Sequence, residues 1–254
     1  MPQLVILTGA SRGLGAAIAE QLLETDTAIL AISRHVNVAL AARAGSVPGR
    51  LEQWSRDLAD PLPVARQVES WLHTIDPAAH DEAVLVNNAG VITRIGPVDD
   101  DTDAALSSAL RVGLEAAMLL TATFLRATRG WRARREGRCK VLNISSGLGR
   151  RAMAGSAVYC AAKAGMDHFS RAVALDELHR GQAARIVSLA PGVIDTDMQS
   201  QLRAADAAGF PEQGLFMDLR AAGRLSTPQE AAAKVLAYLR REDFGMQVVA
   251  DVRD

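Results

Sequence analysis

The stretch Leu4 to Leu23, LVILTGASRGLGAAIAEQLL, decides the fold. It begins with an uninterrupted apolar run, Leu4 to Leu7, which predicts a strand that is buried on both faces. Glycines follow in the spacing G-x-x-x-G-x-G, and an alanine-rich helical pattern then runs from Ala16 to Leu23. A strand that passes through a glycine turn directly into a helix is typical of α/β proteins with a parallel sheet.

The glycine turn is suited to holding a pyrophosphate. Glycine lets the backbone bend tightly and approach the phosphates, and the helix N-terminus favours their negative charge. Such a turn could serve only to connect the strand to the helix, but its place after the first strand favours dinucleotide binding. The residues expected to contact the dinucleotide here are Gly9, Ser11, Arg12, Gly13, Leu14 and Gly15.

Strand and helix patterns alternate along the rest of the chain. Strands are predicted at Leu4–Thr8, Ala28–Ser33, Ala83–Val86, Lys140–Ser145, Arg185–Ala190 and Gln247–Ala250, with one more just before Asp57. Helices are predicted at Leu14–Glu24, Pro63–Thr74, Asp103–Ala127, Tyr159–His179 and Pro228–Arg240. Apolar strands that alternate with helices predict a single α/β domain over residues 1–254, built on a doubly wound parallel sheet.

The end of the second strand indicates which dinucleotide is bound. NAD-specific folds place an acidic residue here to bind the adenosine ribose, whereas this chain has Ser33 and Arg34. No carboxylate repels a 2′-phosphate at this place, and Arg34 and Arg12 are available to pair with one. The sequence therefore predicts NADP(H), the alternative being that both arginines are ordinary surface charges.

Three further segments follow strands and are expected beside the same cofactor. Asp57 and Leu58 follow the third strand, and Asn88 lies in the NNAG segment after the fourth, although that tetrapeptide alone could be only a turn. The sequence PGVIDT follows the sixth strand, where Ile194 and Thr196 are expected to hold the nicotinamide carboxamide.

The stretch Val141 to Lys163, VLNISSGLGRRAMAGSAVYCAAK, carries the candidate chemistry. In a helix, Tyr159 and Lys163 project from one face, one turn apart. Moving a phenol pKa from about 10 to about 7 requires roughly 4 kcal/mol, which a cation about 4 Å away can supply. Ser146 is placed to hold a carbonyl or alcohol oxygen. The alternative is an alanine-rich packing helix with an incidental tyrosine.

Composition narrows the class of protein. The chain has 254 residues, 49% of them hydrophobic, and a net charge of −1, which gives no reason to expect nucleic acid as a partner. No apolar run approaches the roughly 20 residues of a membrane span, and no secretory signal precedes Leu4, so we expect a cytoplasmic protein. Cys139 and Cys160 lack the spacing of a disulfide framework or a metal site.

A basic run surrounds Trp131 between the long helix and the fifth strand. It could contact nucleic acid, but a solvated helix end, favoured by the C-terminal helix dipole, is the simpler interpretation. Its members are Arg126, Arg129, Arg132, Arg134, Arg135 and Arg138.

Taken together, the motifs make the chain resemble the short-chain dehydrogenase/reductase family over essentially its whole length. They are TGASRGLG, NNAG, Ser146, Tyr159-x-x-x-Lys163 and PGVIDT, in this order. Within the family, VLNISS, AVYCAAKAGMD, APGVIDTDMQ and FGMQVVADVRD are most similar to sepiapterin reductases and bacterial benzil-reductase-like proteins. The resemblance implies a Rossmann-type fold and a homodimer or homotetramer.

The resemblance also implies roles for three residues. Tyr159 would donate a proton to the carbonyl oxygen while hydride passes from nicotinamide C4 to the carbonyl carbon. Ser146 would position and polarise that oxygen, and Lys163 would bind the nicotinamide ribose and lower the pKa of Tyr159. One departure is Arg111, which stands where the family usually has an asparagine that helps to hold a water. Either that proton relay is rebuilt or Arg111 turns outward.

The substrate is expected to be a small carbonyl compound. Ser146, Tyr159, Gly192 and Asp251 are the expected contacts; by resemblance to sepiapterin reductases, Asp251 would anchor a pterin ring, although it could be an ordinary charged residue near the C-terminus. The segment Gln199 to Ala222 contains Phe210, Phe216 and Met217, and Met198 directly precedes it. This segment is expected to form short helices over an apolar or aromatic substrate.

These observations predict an NADPH-dependent reductase of a sepiapterin- or benzil-like ketone or diketone. Two alternatives remain open: an NAD(P)-dependent alcohol or sugar dehydrogenase, and a non-catalytic protein that senses the dinucleotide. An intact set of Ser146, Tyr159 and Lys163 disfavours the last, because a sensor does not need them.

Overall fold

A parallel sheet of seven strands organises residues 2–132, 139–181 and 184–254, which are the residues that this computed structural model describes. The strands are Gln3–Thr8 (β1), Thr27–Ser33 (β2), Arg50–Ser55 (β3), Glu82–Asn87 (β4), Cys139–Ile144 (β5), Arg185–Ala190 (β6) and Val249–Asp251 (β7). Their order is β3-β2-β1-β4-β5-β6-β7, and each neighbouring pair is parallel.

The helices connect successive strands, as parallel pairing requires. They are Gly13–Leu23 (α1), Val38–Ala44 (α2), Pro61–Leu72 (α3), Asp103–Leu110 (α4), Ala116–Ala127 (α5), Arg129–Arg132 (α6), Ala157–His179 (α7), Asp197–Ala204 (α8), Gln213–Ala221 (α9) and Pro228–Leu239 (α10). A π-helical turn, Arg111–Glu115, joins α4 to α5.

Apolar side chains of the sheet form a core on each of its faces. Successive residues of a strand point to opposite faces, and in β1 Val5 and Leu7 enter one cluster while Leu4 and Ile6 enter the other. The first cluster packs against α1 and α10, and the second against α3 and α5. Helices on both faces of one parallel sheet confirm the predicted single-domain α/β fold with a Rossmann-type doubly wound sheet.

The predicted elements differ from the observed ones in three places. The short helix α2 was not predicted, because only Leu40 of its residues is buried and its apolar pattern is therefore weak. The long helix predicted at Asp103–Ala127 is interrupted by the π-helical turn. The last strand is Val249–Asp251 rather than Gln247–Ala250, and it pairs with β6 from Ser188 onward.

The stretch Asp103–Ala127 also corrects the expectation about apolar runs. Over 18 of its residues the mean hydropathy is 1.4, so by length and composition it is able to cross a membrane. A buried core helix passes the same test, and α5 places Leu120 and Phe124, both 0% exposed, in the core beside the sheet. We therefore interpret it as a core helix.

The basic run around Trp131 is only partly described. Trp131 is buried, and Arg126 pairs with Glu69 of α3 at 2.7 Å. Arg134, Arg135 and Arg138 lie outside the described residues, so the interpretation of this run stays a prediction.

Candidate active site

A cleft of about 740 Å³ opens at the carboxyl ends of the strands, where β1 lies between β2 and β4. The chain order reverses direction across the sheet at this point, and open α/β sheets bind ligands at such a switch. Most residues predicted to contact the cofactor line this cleft. They are Gly9, Ser11, Arg12, Gly13, Leu14, Gly15, Arg34, Asp57, Leu58, Asn88 and Thr196.

The glycine turn fits a dinucleotide pyrophosphate because it leaves no room for side chains. Gly9 has φ +73°, and a Cβ atom there would lie 2.9 Å from Cα of Ala89. A Cβ atom on Gly15 would lie 2.2 Å from the carbonyl oxygen of Gly9. Only glycine allows this close passage from β1 into α1, and the N-terminus of α1 is thereby presented to the cleft.

Asn88 holds that turn in place from the neighbouring strand. Its side-chain nitrogen donates to the carbonyl oxygens of Thr8, at 3.0 Å, and Gly9, at 3.2 Å. In return, the Thr8 hydroxyl accepts hydrogen bonds of 3.0 Å from the backbone amides of Asn88 and Ala89. Asn88 thus lines the cleft as predicted, and it also fixes the shape of the glycine turn.

Basic groups gather at the end of the cleft beside β2 and β3. Arg34 lies there as predicted, together with His35 and Arg56, which the sequence analysis missed. Sheet register explains the grouping: Ser33 pairs with Ser55, so Arg34 and Arg56 leave adjacent strands at the same level. Arg56 is oriented by Gln67, which accepts a hydrogen bond of 2.8 Å from its Nε atom.

The same end of the cleft contains a buried hydroxyl that has no hydrogen-bond partner among the described residues. The side-chain oxygen of Ser33 is buried, and no group in the described part of the chain forms a hydrogen bond with it. A buried polar atom without a partner is costly, and a ligand that enters the cleft relieves that cost. Together with the cationic groups nearby, this fits the ribose and phosphate of an adenine dinucleotide.

Arg12 is placed differently from the expectation. Its guanidinium forms an ion pair with Asp197, at the start of α8, and both side chains are exposed. The two residues come from opposite walls of the cleft, and a Cβ atom on neighbouring Gly13 would lie 3.6 Å from the methyl group of Thr196. The carboxylate of Asp197, rather than open solvent, is therefore the group that faces Arg12.

Ser146, Tyr159 and Lys163 come together at the edge of the cleft. Tyr159 and Lys163 lie one turn apart on α7, and the Ser146 side chain is close enough to the phenol of Tyr159 to lower its pKa against the larger, raising effect of burial. The Nζ atom of Lys163 is 5.6 Å from the centre of the Tyr159 ring and donates to the carbonyl oxygen of Ile144 at 2.7 Å. It lies 3.7 Å from the Cβ position of Gly90, a residue of the cleft wall.

The acidity of the tyrosine is opposite to the prediction. Burial raises the pKa of Tyr159 to about 12, and the nearby Ser146 side chain offsets only part of this. Burial also lowers the pKa of Lys163 to about 8, against the raising effect of the Asp167 carboxylate. Desolvation penalises the charged forms of both groups, and Lys163 directs its proton to Ile144 instead of to the phenol oxygen. The structure therefore holds a protonated phenol.

Arg111 turns away from these groups. It is exposed, and its Nη1 atom lies 3.5 Å from the carbonyl oxygen of Ala59, on the side of α3. The sequence left two possibilities, a rebuilt proton relay or an Arg111 that turns outward, and the structure shows the outward orientation. It begins the π-helical turn Arg111–Glu115, a distortion that is frequent at functional sites.

Besides Ser146, Tyr159 and Lys163, which lie next to the cleft without lining it, three further expected contacts lie outside its wall. Ile194 forms a β-bridge with Ser226, and Gly192, with φ +83°, would place a Cβ atom 3.8 Å from Val252. Asp251 is buried in β7, where both of its carboxylate oxygens accept hydrogen bonds from Arg253, at 2.7 and 2.6 Å. These bonds hold the pKa of Asp251 below its usual value, so a pterin ring would compete with Arg253 for this carboxylate.

An apolar cluster lies next to the cleft and reaches it through Met198 of α8. Phe210 and Phe216 are buried and stacked, with 5.6 Å between ring centres, and they pack with Met153 and Leu202. Met198 packs against this group and also lines the cleft, whereas Met217 is 52% exposed. The predicted short helices are thus present, and Met217 is not part of the apolar cluster.

In the described residues, no group of three or more His, Cys, Asp or Glu side chains is arranged to hold a metal ion. The side chains of Ser146, Tyr159 and Lys163 place a hydroxyl, a phenol and an ammonium beside the cleft that the glycine turn lines. These features define an oxidoreductase that uses a nicotinamide dinucleotide and acts on an alcohol or carbonyl group. The chain belongs to the short-chain dehydrogenase family, whose model matches residues 3–207.

Individual relatives span nearly the whole chain. Benzil reductase ((S)-benzoin forming) of Bacillus cereus is 34% identical over 240 residues, which are 94% of this chain and 95% of that protein. A solved short-chain dehydrogenase/reductase from Burkholderia vietnamiensis is 36% identical, with 99% of both chains covered and a TM-score of 0.61. A third relative is a structure from Beutenbergia cavernae, provisionally assigned as an NAD(P)-dependent gluconate 5-dehydrogenase, which holds NADP at low occupancy. It is 28% identical, covers 98% of this chain and 94% of its own, and has a TM-score of 0.80.

Proposed function

We propose that this protein is an NADPH-dependent carbonyl reductase whose substrate is an aromatic ketone or diketone of the benzil type. The observation that carries the proposal is the placement of Ser146, Tyr159 and Lys163 beside a cleft with a glycine turn at one end. A sepiapterin-like substrate belongs to the same class of reaction and is a variant of this proposal.

The positions of the three residues are consistent with the roles that we propose for them. When bound, NADPH supplies the hydride that is added to the carbonyl carbon. Ser146 holds the carbonyl oxygen by a hydrogen bond, and Tyr159 donates its phenolic proton to that oxygen as negative charge develops there. Lys163 provides the positive charge that stabilises the resulting phenolate.

The raised pKa of Tyr159 is consistent with its proposed role as the proton donor. A phenol with a pKa of about 12 carries its proton at neutral pH and is therefore ready to act as an acid. The reverse reaction, alcohol oxidation, would need the phenolate, which burial disfavours. The protonated phenol is the form that carbonyl reduction requires, while the direction of net turnover also depends on the ratio of reduced to oxidised cofactor.

The preference for NADPH over NADH rests on the basic end of the cleft. Arg34, His35 and Arg56 line the cleft where β2 and β3 end. An arginine pair at this place suits a 2′-phosphate, to which guanidinium groups bind through charge-assisted hydrogen bonds.

The substrate class rests on the apolar cluster and on one relative. Met198 lines the cleft and packs on an apolar cluster whose buried members include Phe210 and Phe216. Leu148 and Cys160, which follow Ser146 and Tyr159 within two residues, are partly buried members of the same cluster. Such a surface suits an aromatic carbonyl compound rather than a sugar. The benzil reductase of Bacillus cereus acts, by its name, on a substrate of this kind.

One set of assays separates this function from its alternatives. NADPH consumption is measured with benzil, sepiapterin, other diketones and simple aldehydes, and NADP⁺ reduction is measured with gluconate and simple alcohols. We expect NADPH oxidation with benzil to exceed all reactions in the opposite direction. If only gluconate or an alcohol is turned over, the protein is a dehydrogenase. If NADPH binds and no substrate reacts, it is a non-catalytic dinucleotide-binding protein.

We also infer an assembly of two or four copies in the cytoplasm. The long helices α5 and α7 expose apolar side chains, with Met118 39% exposed, Leu175 67% and Leu178 78%. Exposed apolar groups of this size are suited to a contact between copies. Light scattering coupled to size-exclusion chromatography measures the number of copies, and a monomer at micromolar concentration contradicts this inference.

A further inference from the structure

Asp167 is a buried carboxylate that the reaction described above does not use. It is 2% exposed and lies on α7, one turn beyond Lys163. Its Oδ1 atom accepts hydrogen bonds from the hydroxyls of Ser145, at 2.6 Å, and Ser188, at 2.7 Å. A carboxylate at this depth is costly to bury unless specific partners hold it, and these partners lead to the reacting groups.

Asp167 contacts residues on both sides of Ser146 in the sequence. Ser145 precedes Ser146 directly, and the loop that follows returns to the same carboxylate. The Nε atom of Arg150 is 3.5 Å from Oδ2 of Asp167, and a Cβ atom on Gly149 would lie only 2.8 Å from that oxygen. Glycine at position 149 thus lets the loop close onto Asp167.

The same helix carries the groups that Ser146 must meet. Tyr159, Lys163 and Asp167 follow one another at intervals of one turn on α7, so a loop tied to Asp167 is tied to the phenol and the ammonium. The carbonyl oxygen of Lys163 also lies 2.9 Å from the Cβ position of Gly149. We propose that Asp167 is a positioning residue, which fixes the Ser146 loop against the helix that carries Tyr159 and Lys163.

This proposal rests on the proposed reductase function for its kinetic consequence. Asp167 does not touch the phenol that exchanges a proton with the substrate, and it acts on the Ser146 loop through Ser145 and Arg150. Against the lowering effect of burial, its charge also raises the pKa of Lys163, and Ser145→Ala leaves this contribution in place. A displacement of about 1 Å in a reacting group can cost about 100-fold in rate. Loss of Asp167 is therefore expected to lower kcat while leaving the binding of NADPH nearly unchanged, because the cofactor cleft is lined by other residues.

The chain offers a matched pair of variants. Ser145 and Ser188 each donate one hydrogen bond to the same oxygen of Asp167, and they are 3% and 0% exposed. Only Ser145 is adjacent to Ser146, whereas Ser188 lies in β6. Ser145→Ala and Ser188→Ala thus remove the same interaction at the same depth, but only the first loosens the chain next to Ser146.

The experiment compares kcat for benzil reduction, and KM for both benzil and NADPH, in the wild type, Asp167→Ala, Asp167→Asn, Ser145→Ala and Ser188→Ala. We expect kcat to fall about 10- to 100-fold in Asp167→Ala and about 10-fold in Ser145→Ala, with KM for NADPH within about twofold. Asp167→Asn keeps an oxygen acceptor for both serines and should recover part of the loss. Ser188→Ala should keep kcat within about threefold, although thermal unfolding shows a destabilisation like that of Ser145→Ala.

Hydrogen exchange measured by mass spectrometry gives a second readout that needs no activity. The amides of Leu148 and Gly149 donate to Ser146, so their exchange reports how firmly this loop is held. We expect faster exchange over residues 146–151 in Asp167→Ala and Ser145→Ala, and no change in Ser188→Ala. If Ser188→Ala lowers kcat as much as Ser145→Ala, or exchange of the loop is unaltered without Asp167, the proposal is wrong. If the wild type reduces no carbonyl compound, the reductase function fails and the exchange data alone decide the role of Asp167.

Discussion

The ammonium of Lys163 lies over the ring of Tyr159, 5.6 Å from its centre, and donates its hydrogen bond to Ile144 rather than to the phenol oxygen. An ammonium near an aromatic face is attracted to it, but the attraction does not make the hydroxyl acidic. The pKa of Lys163 is lowered to about 8 and that of Tyr159 is raised to about 12, so both groups carry protons at neutral pH.

The first prediction is a loss of carbonyl reduction above about pH 8. The charged form of Lys163 stabilises the phenolate, so kcat/KM should be level below about pH 7 and should fall about tenfold per pH unit above the pKa of about 8. A profile recorded between pH 6 and 10 measures this limb. A level profile up to pH 10 would show that Lys163 retains its ordinary pKa.

Unfolding does not account for the expected loss. The pKa of Lys163 is lower in the folded protein, about 8, than its usual 10.5, so between these values the unfolded chain binds more protons. The contribution of Lys163 to the free energy of unfolding therefore rises with pH in this window. Tyr159, whose folded pKa is raised, loses stability only as pH rises above its ordinary value of 10.0. Thermal unfolding at each pH provides the control.

The second prediction concerns the proton donor. Tyr159→Phe removes the phenolic hydroxyl and keeps the ring, so kcat should fall by about 100- to 10,000-fold while the Kd of NADPH stays within about twofold. NADPH fluorescence measures binding, and turnover of benzil measures the reaction. Tyr238, the only other tyrosine, lies on α10 in the opposite part of the core, so Tyr238→Phe is the matched control and should retain kcat. Turnover of Tyr159→Phe near that of Tyr238→Phe would refute the assignment.

Local patterns were sufficient to predict the fold class and the glycine turn, whereas the roles of Ser146, Tyr159 and Lys163 were implied by the resemblance to the family and stay a prediction. Apolar runs and helical spacing can be recognised within a few residues, and the order of the motifs along the chain indicates the topology of the sheet. The tyrosine pKa could not be obtained in this way. A pair of residues in a helix gives their spacing, whereas the desolvation that raises the pKa of Tyr159 depends on everything packed around it.

Contacts between distant segments were also beyond the sequence patterns. Arg56 joins Arg34 only because β3 pairs with β2 in a register that sets Ser55 beside Ser33. No sequence pattern singled out Asp167, whose burial follows from the contacts of α7 with Ser145 after β5 and Ser188 in β6. A basic residue directly after each of two neighbouring strands was the signal that could have revealed Arg56.

The third prediction tests the choice of NADPH. Arg34→Ala and Arg56→Ala each remove one guanidinium from the end of the cleft. Hydrogen bonds to charged groups contribute about 1.5–3 kcal/mol, so KM for NADPH should rise about 10- to 100-fold while KM for NADH changes little. Arg171→Ala, an exposed arginine on α7 outside the cleft, is the control. An equal effect on both cofactors would show that these arginines do not recognise the 2′-phosphate.

The fourth prediction concerns the ion pair between Arg12 and Asp197. Arg12 lies in the glycine turn, and its guanidinium is engaged by a carboxylate from the opposite wall of the cleft. A cofactor phosphate that uses Arg12 must compete with Asp197. The isosteric variant Asp197→Asn removes this competition and also removes a negative charge from the wall. Because an exposed pair contributes about 0–1 kcal/mol, the Kd of NADPH should fall by up to about fivefold.

Two controls make this prediction specific. Asp218→Asn changes an exposed aspartate on α9 that does not line the cleft, and it should leave the Kd unchanged. Raising the salt concentration from about 0.05 M to about 0.5 M screens exposed charges and should reduce the difference between Asp197→Asn and the wild type. Weaker binding of NADPH by Asp197→Asn would contradict the prediction. It would mean that the ion pair stabilises the glycine turn in the conformation that binds NADPH, and does not compete with the phosphate for Arg12.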